Sequence, residues 1–360
     1  MRFIRPIAIG VAAVTLVAAC GSERDENTST ADTEAEATTP ADETDPPPTD
    51  AAGDVTVAFM SNQAAGDMGP VDGMIAGLEA SAAANGHDTQ IVEALDPAAF
   101  ETQLRALADS GPEIIITTFF DLGATLEIVA PDYEDISFIS VVAAPSEQPN
   151  VNVVDFEFYK GAYIGGVYAA ALTDTNQLGY IGGAPLPFAW ADFNAFTDGA
   201  RSVNPDIETT ATFADGFEDP AGARELASGL YADGADVILT GAAAGDLGTV
   251  EAAVENDAMV VVSSDLTELG PGSVSIIIAL EWADLIQNEI GHVLDGGDLG
   301  RYRLAGPESG EVSLTVPDSF IDNASGDRGE RAAAAATEVQ ATVDALLDGS
   351  LVVEQVSEER

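Results

Sequence analysis

From residue 54 onward the apolar positions follow two rhythms in turn. DVTVAFM (54–60), DTQIVEA (88–94), EIIITTFF (113–120) and ISFISVVA (136–143) are short, β-branched or aromatic runs, and each predicts a strand. Between them VDGMIAGLEASAAANG (71–86), PAAFETQLRALADSG (97–111) and LGATLEIVAPDY (122–133) carry the helical period. Gly86 closes the first of these helices and Pro97 opens the second. Strands that alternate with helices imply parallel sheets built from right-handed crossovers.

The rhythm then restarts. YKGAYIGGVYAAAL (159–172) predicts a helix with glycines and alanines on its packing face. QLGYIGG, ETTATF, DVILTG and MVVVSSD predict strands, separated by the helices ADFNAFTDGARS, PAGARELASGLYADG and LGTVEAAVEND. Punctuation recurs with order. Asp96-Pro97-Ala98, a helix, Gly111, a strand and Asp121-Leu122-Gly123 match Asp219-Pro220-Ala221, a helix, Gly234, a strand and Asp246-Leu247-Gly248. The fold class this implies is α/β, with two tandem doubly wound parallel-sheet lobes and a ligand cleft between them. Ligands of open parallel sheets bind beyond the carboxyl ends of the strands. The cleft walls are then SNQAAGDMGP (61–70), TTFFDLG (117–123), GGAPLPFAW (182–190), TGAAAGDLG (240–248) and SSDLTELGPG (263–272). Phe188, Trp190 and Phe193 cluster around the third of these loops in a chain only 6% aromatic. Two readings are open: the rings line the cleft, or they pack against their own lobe.

The N-terminus has another texture. MRFIR is basic, PIAIGVAAVTLVAA is apolar, and Val17-Ala18-Ala19-Cys20-Gly21-Ser22 is a run of small residues ending at the single cysteine. Residues 1–19 read as a signal peptide too short for a comfortable membrane span. A cysteine at the cleavage point resembles the lipobox of bacterial lipoproteins, which implies lipid on Cys20 and an anchored, extracytoplasmic protein; an ordinary secretory signal is the alternative. Residues 20–53, rich in Thr, Glu, Asp and Pro, bury too little to offset ordering entropy and read as an acidic tether. The formal charge of -50 excludes nucleic acid as a partner and fits a solubility adaptation, with salt as one setting. Lys160 is the only lysine.

Chemistry is sparse. No G-x-S-x-G elbow, P-loop or dinucleotide fingerprint is present, and one cysteine leaves no disulfide. His87, following Gly86 at a helix end, reads as a surface residue, as does His292 late in EWADLIQNEIGHVL. Two distant histidines make no zinc site of common spacing. No enzyme, metal or cofactor is implied. Asp121 and Asp246 each follow a strand and open a helix, so capping explains them, and contact with a ligand hydroxyl is the alternative.

With those features in place, YIGGVYAAALT, LGYIGG, FTDGARSVNPDI, DPAGARELA, YADGADVI and LGTVEAA closely resemble the basic membrane protein (BMP) family of solute-binding lipoproteins. The resemblance is strong over residues 150–256 and collinear over 55–149 and 257–350. It implies the type I periplasmic-binding architecture, two lobes joined by three hinge crossovers, and delivery of solutes, often purine nucleosides, to an ABC transporter permease. The lobes would be residues 54–156 with about 280–310, and 157–279 with about 311–360. Family positions fall on Asn62 where an Asp is usual, on Asp67 and its neighbours where a stacking ring is usual, on Ser263 or Asp265 for a later Asp, and on Glu281 for a ribose-binding Lys. Phe120, Phe188, Trp190 and Phe193 would supply the rings. Glu281 and Asp265 beside those rings would also suit a cationic or nitrogen-rich heterocycle; Glu281 as a helix-surface acid and Trp282 as a core residue is the alternative. A sensor that reports its ligand to a membrane receptor without transport is the rival function.

Overall fold

The computed structural model describes residues 55–66 and 69–360. Cys20, the leader, the tether and Asp67 lie outside the described residues. Two six-stranded sheets carry the chain, and they have the same order. The first sheet runs β2 (Asp88–Glu93), β1 (Thr56–Ser61), β3 (Ile114–Thr118), β4 (Ser137–Val141), β5 (Val151–Phe156) and β11 (Tyr302–Ala305). The second runs β7 (Glu208–Phe213), β6 (Gln177–Gly182), β8 (Val237–Gly241), β9 (Met259–Val262), β10 (Val274–Leu280) and β12 (Val312–Thr315). Registers repeat too: Val57 pairs with Ile114 in one sheet as Leu178 pairs with Val237 in the other. Every pairing is parallel except β10 with β12, so the all-parallel expectation fails at one edge strand. A short return of the chain between β11 and β12 brings that edge in antiparallel, where no crossover helix is needed.

Burial explains which runs became central strands. All five residues of β3 and all four of β9 are buried, because helices cover both faces. Edge strand β2 is mostly exposed. The helices of the first lobe are α1 (Pro70–Asn85), α2 (Phe100–Asp109), α3 (Phe119–Val129) and, from late in the chain, α8 (Trp282–Leu294). Those of the second are α4 (Phe158–Leu172), α5 (Pro187–Val203), α6 (Pro220–Ala232), α7 (Asp246–Glu255), α9 (Asp318–Asn323) and α10 (Arg328–Leu347). Pro70 opens α1 and Gly86, left-handed at φ 77°, closes it. Asp219 caps α6 by accepting from the Gly222 N–H at 3.0 Å.

Helices α4 and α5 lie backbone to backbone. A Cβ on Gly166 would stand 2.0 Å from the Phe196 carbonyl oxygen, and one on Gly199 would stand 2.0 Å from that of Tyr163. The glycines legible on the packing face of α4 are what permit this approach. His87 corrects its surface reading. It is 6% exposed, with Nε2 at 3.0 Å from the Ser81 hydroxyl, because the turn after Gly86 folds its ring back under α1.

Each sheet keeps its own cores, and the chain crosses between the two sheets three times. The crossings are at Glu157 between β5 and α4, at Glu281 between β10 and α8, and at 306–311 between β11 and β12. Leu285, Ile286 and Ile290 of α8 pack with Val57 and Phe59 of the first lobe. Tyr159 and Ala162 of α4 pack with Tyr180 and Leu178 of the second. The crossings are tied side by side. The Glu157 N–H donates to the Ala305 carbonyl at 2.8 Å, and the Glu281 N–H to that of Glu311 at 2.9 Å. Lys160 Nζ bridges Glu157 (2.6 Å) and Glu308 (2.7 Å). Deeper, Arg301 and Arg303 hold Glu289, and Arg303 also holds Glu311; both acids are 2% exposed. Burial alone would raise the Glu311 carboxyl, but donors from Arg303, Ser309 and Asn288 outweigh it and hold the group below its ordinary value. Among the described residues no helix is long and apolar enough to cross a membrane.

Candidate ligand-binding site

A cavity of about 280 Å³ lies where the carboxyl ends of the two sheets meet. That volume is near the lower edge of small-molecule sites. The wall is assembled from strand ends of both lobes. The first lobe contributes Gln63 after β1, Phe119 and Phe120 after β3, Val142 after β4, and Asp155 and Phe156 at the end of β5. The second contributes Phe188 and Asp192 from α5, Phe217 and Glu218 after β7, and Asp246 and Ser263 after β8 and β9. Phe158, Tyr159 and Trp282 line it from the first two crossings, and Gln355 reaches it from the C-terminal segment.

Among the described residues eight aromatic side chains line this space. Phe188 stacks on Phe217 with centroids 6.2 Å apart, and Trp282 meets Phe156 edge-on at 4.7 Å, so the rings form pairs of fixed orientation. Three residues of the wall, Phe119 (φ 62°), Val142 (φ 57°) and Ala243 (φ 52°), hold left-handed backbone without being glycine. A β-branched or bulky residue there is strained by ~1–3 kcal/mol, and such strain is concentrated where loops are shaped for contact.

Among the described residues the charged groups of the lining are all acidic. Asp246, 2% exposed, is saturated: Oδ1 accepts from the Thr240 hydroxyl (2.7 Å) and the Ala242 N–H (2.8 Å), and Oδ2 from the Ser263 hydroxyl (3.2 Å). Burial raises its carboxyl, and those three donors only partly offset the rise. Asp246 therefore fixes the β8 and β9 loops to each other, and the capping reading fails for both Asp121 and Asp246: Thr118 and Gly245 are the N-cap residues of α3 and α7, and neither helix start has a side-chain cap bond. Asp192, 6% exposed, receives no hydrogen bond from any described residue. Burial first, and then the charge of Asp155, push its carboxyl well above the ordinary range. Burial likewise raises Asp155, against one donor, its neighbour's backbone N–H at Phe156.

Of the positions singled out in the sequence, Phe120, Phe188, Asp246 and Ser263 meet at this cavity. Trp190 and Phe193 do not. The stretch read as a loop to residue 190 is already helix from Pro187, and a helix turns by about 100° per residue. Phe188 and Asp192, one turn apart, share the face toward the cavity. Trp190 lies about 200° from Phe188 and points into its own lobe. There it packs edge-on against Phe213 at 4.9 Å and Phe193 at 6.1 Å, while Phe193 also meets Tyr180 at 5.8 Å. Asn62 is half-buried beside the cavity but outside its lining, with Oδ1 unpaired. Asp121 is exposed on α3. Asp265 turns outward and ties its own loop, accepting from the Thr267 hydroxyl at 2.6 Å. Glu281 accepts from the Ser313 hydroxyl within the crossings. The charged, aromatic and amide residues of the lining that sequence reasoning missed are Asp155, Phe156, Phe158, Tyr159, Asp192, Phe217, Glu218 and Gln355. Asp155 and Phe156 end a strand, VNVVDF, and Phe217 and Glu218 follow ETTATF, so the strand-end rule extended to those two loops would have found four of them.

Comparison with known proteins agrees with this geometry. A family model described as "ABC transporter substrate-binding protein PnrA-like" matches residues 55–330. A purine-binding protein of Brucella abortus is 27% identical over 199 residues, which cover 54% of this chain and 55% of that protein. A putative ABC transporter glucose-binding protein of Haloferax volcanii is 30% identical over 151 residues, 42% of this chain and 38% of that protein. The matched segments thus span about half or less of these curated relatives. Among solved structures, an ABC transporter solute-binding protein from Aeropyrum pernix K1 superposes with a TM-score of 0.71 at 18% identity, covering 84% of this chain and 94% of that one. At that identity the likeness concerns the fold.

Proposed function

Because the chain belongs to the Bmp family of PnrA-like ABC transporter substrate-binding proteins, we propose that it is the lipid-anchored solute receptor of an importer, taking a small heterocyclic solute of the nucleoside kind between its lobes. The observation that carries this reading is the ring-walled cavity at the facing strand ends, to which both sheets contribute. A flat solute enters edge-first between Phe188 and Phe217 on one side and Phe156 and Trp282 on the other. Its polar edge meets Gln63, Ser263 and the carboxylates. Only a ligand that touches both walls favours closure, and here the lining comes from both lobes.

The lobes are taken as residues 54–156 with about 280–310, and 157–279 with about 311–360, turning about the three tied crossings. Cys20 carries the lipid, residues 21–53 act as tether, and the closed form docks on a permease. The test is native mass spectrometry of protein purified without refolding, followed by thermal shift with nucleosides, free bases, hexoses and pentoses. Retention of, or stabilisation by, a nucleoside is expected. Stabilisation by a sugar with no response to any nucleoside would transfer the assignment to carbohydrate. Radiolabelled palmitate incorporated into wild type and absent from Cys20→Ala is the expected result for the anchor.

A further inference from the structure

The cavity is unevenly equipped. Its described lining contains Asp155, Asp192, Glu218 and Asp246 and no lysine, arginine or histidine. Both oxygens of Asp246 already have donors, from Thr240, Ala242 and Ser263. Asp192 is different: it is 6% exposed, it faces the cavity, and no described residue donates to it. A buried carboxylate left without a donor is costly, and a second one nearby, Asp155, adds repulsion. These two acids come from opposite lobes, at the end of β5 and on the first turns of α5. Around them stand eight aromatic faces, whose quadrupoles favour positive charge.

We propose that the solute carries a positive charge, as a protonated amine, a quaternary ammonium or a cationic heterocycle, seated between Asp155 and Asp192 against the ring wall. This rests on the reading of the cavity as the solute site and specifies its chemistry. A neutral hydroxyl can donate to one carboxylate, but it brings no countercharge to the pair. An organic cation supplies the donors and the countercharge at once, and its apolar surface takes the rings. Because one acid belongs to each lobe, the cation also joins them. The net charge of -50 raises the concentration of any cation at the cleft mouth.

Two matched pairs of probes test the proposal by calorimetry at pH 6.5 on the full chain. The first is 1-methyladenosine, a cation at that pH, against its neutral isomer N6-methyladenosine. The second is choline against its uncharged carbon analogue 3,3-dimethylbutan-1-ol. In at least one pair the cation is expected to bind about tenfold or more tightly than its partner. Asp192→Asn, which keeps the shape, is expected to erase most of that preference while the fold, checked by thermal melting, survives; Asp155→Asn provides the same comparison from the other lobe. Binding of choline alone upholds the charge and overturns the nucleoside reading. Equal or tighter binding of the neutral member in the pair that binds, or no binding by either cation, overturns the proposal. So does a preference that both variants retain.

Discussion

Phe188 and Trp190 are two residues apart and should fail in opposite ways when truncated. Phe188 is 36% exposed, stacked on Phe217 and open to the cavity. Its loss removes one ligand-facing ring and little of the core. Phe188→Ala should therefore weaken solute binding by ~0.5–1.5 kcal/mol, about 2- to 12-fold in Kd, with the melting temperature of the empty protein nearly unchanged. Trp190 has two ring partners inside its own lobe, Phe213 and Phe193, and no place in the cavity wall. It is half-buried, so its truncation falls at or below the lower part of the range for large core aromatics, ~2–4 kcal/mol. With about 2 cal/mol/K of unfolding entropy per residue over about 300 residues, that lowers Tm by about 3–6 °C. Affinity per folded molecule should stay at the wild-type value. The assay pairs differential scanning calorimetry of the empty proteins with titration of whichever solute the native protein retains. A Trp190→Ala variant of normal Tm that loses affinity, beside a Phe188→Ala variant that binds normally, would refute the helical-face assignment of α5 and the site built on it.

Other substitutions probe other links. Gly166→Ala should cost at least ~2 kcal/mol in urea unfolding, since its new methyl meets the backbone of α5 and no flexible side chain can give way. Glu289→Gln should cost ~2–4 kcal/mol because Arg301 and Arg303 lose a 2% exposed partner, and high salt should not restore the loss as it would for a surface pair. The raised Asp192 carboxyl gives a signed pH effect. A folded value above the unfolded one contributes stability that is complete below about pH 4 and lost as pH rises through the raised value. Empty Asp192→Asn should thus melt above wild type at pH 7, and the gap should close toward pH 4. Asp155 and Tyr180 face the same group, and a gap that persists at pH 4 would assign the effect to them or to packing.

Much of this architecture was legible before any coordinates. The matched series from Asp96 to Gly123 and from Asp219 to Gly248 announces a duplicated unit, and the two sheets share one strand order. That order sends ligands to the carboxyl ends of strands, which is why Phe120, Phe188, Asp246 and Ser263 converge. What stayed hidden was direction. GGAPLPFAW contains two prolines and reads as loop, yet Pro187 is a comfortable first residue of a helix, and beginning the helix there reverses Trp190. Strands VNVVDF and VSIIIAL, with the short edge strands YRLA and VSLT, lie next to the crossings between sheets, outside the repeated strand–helix series that marked the other eight. Carrying family positions onto Asp265 and Glu281 placed polar residues near the correct loops, but local donors at Thr267 and Ser313 claim both. Asp192 gave no signal at all: an acid on an amphipathic helix ordinarily faces water, whereas this one is 6% exposed at the cavity.

Lys160 is the sole side-chain primary amine in the chain, and it sits where two of the three connecting strands of backbone are clasped. At 15% exposure it is shielded from bulky reagents while that clasp holds. An amine-reactive dye therefore has one internal target, and the speed of its attachment becomes a clock for how often the clasp releases. No engineered label is required to follow that motion, since mapping the tagged peptide separates Lys160 from any reaction at the chain's α-amino group.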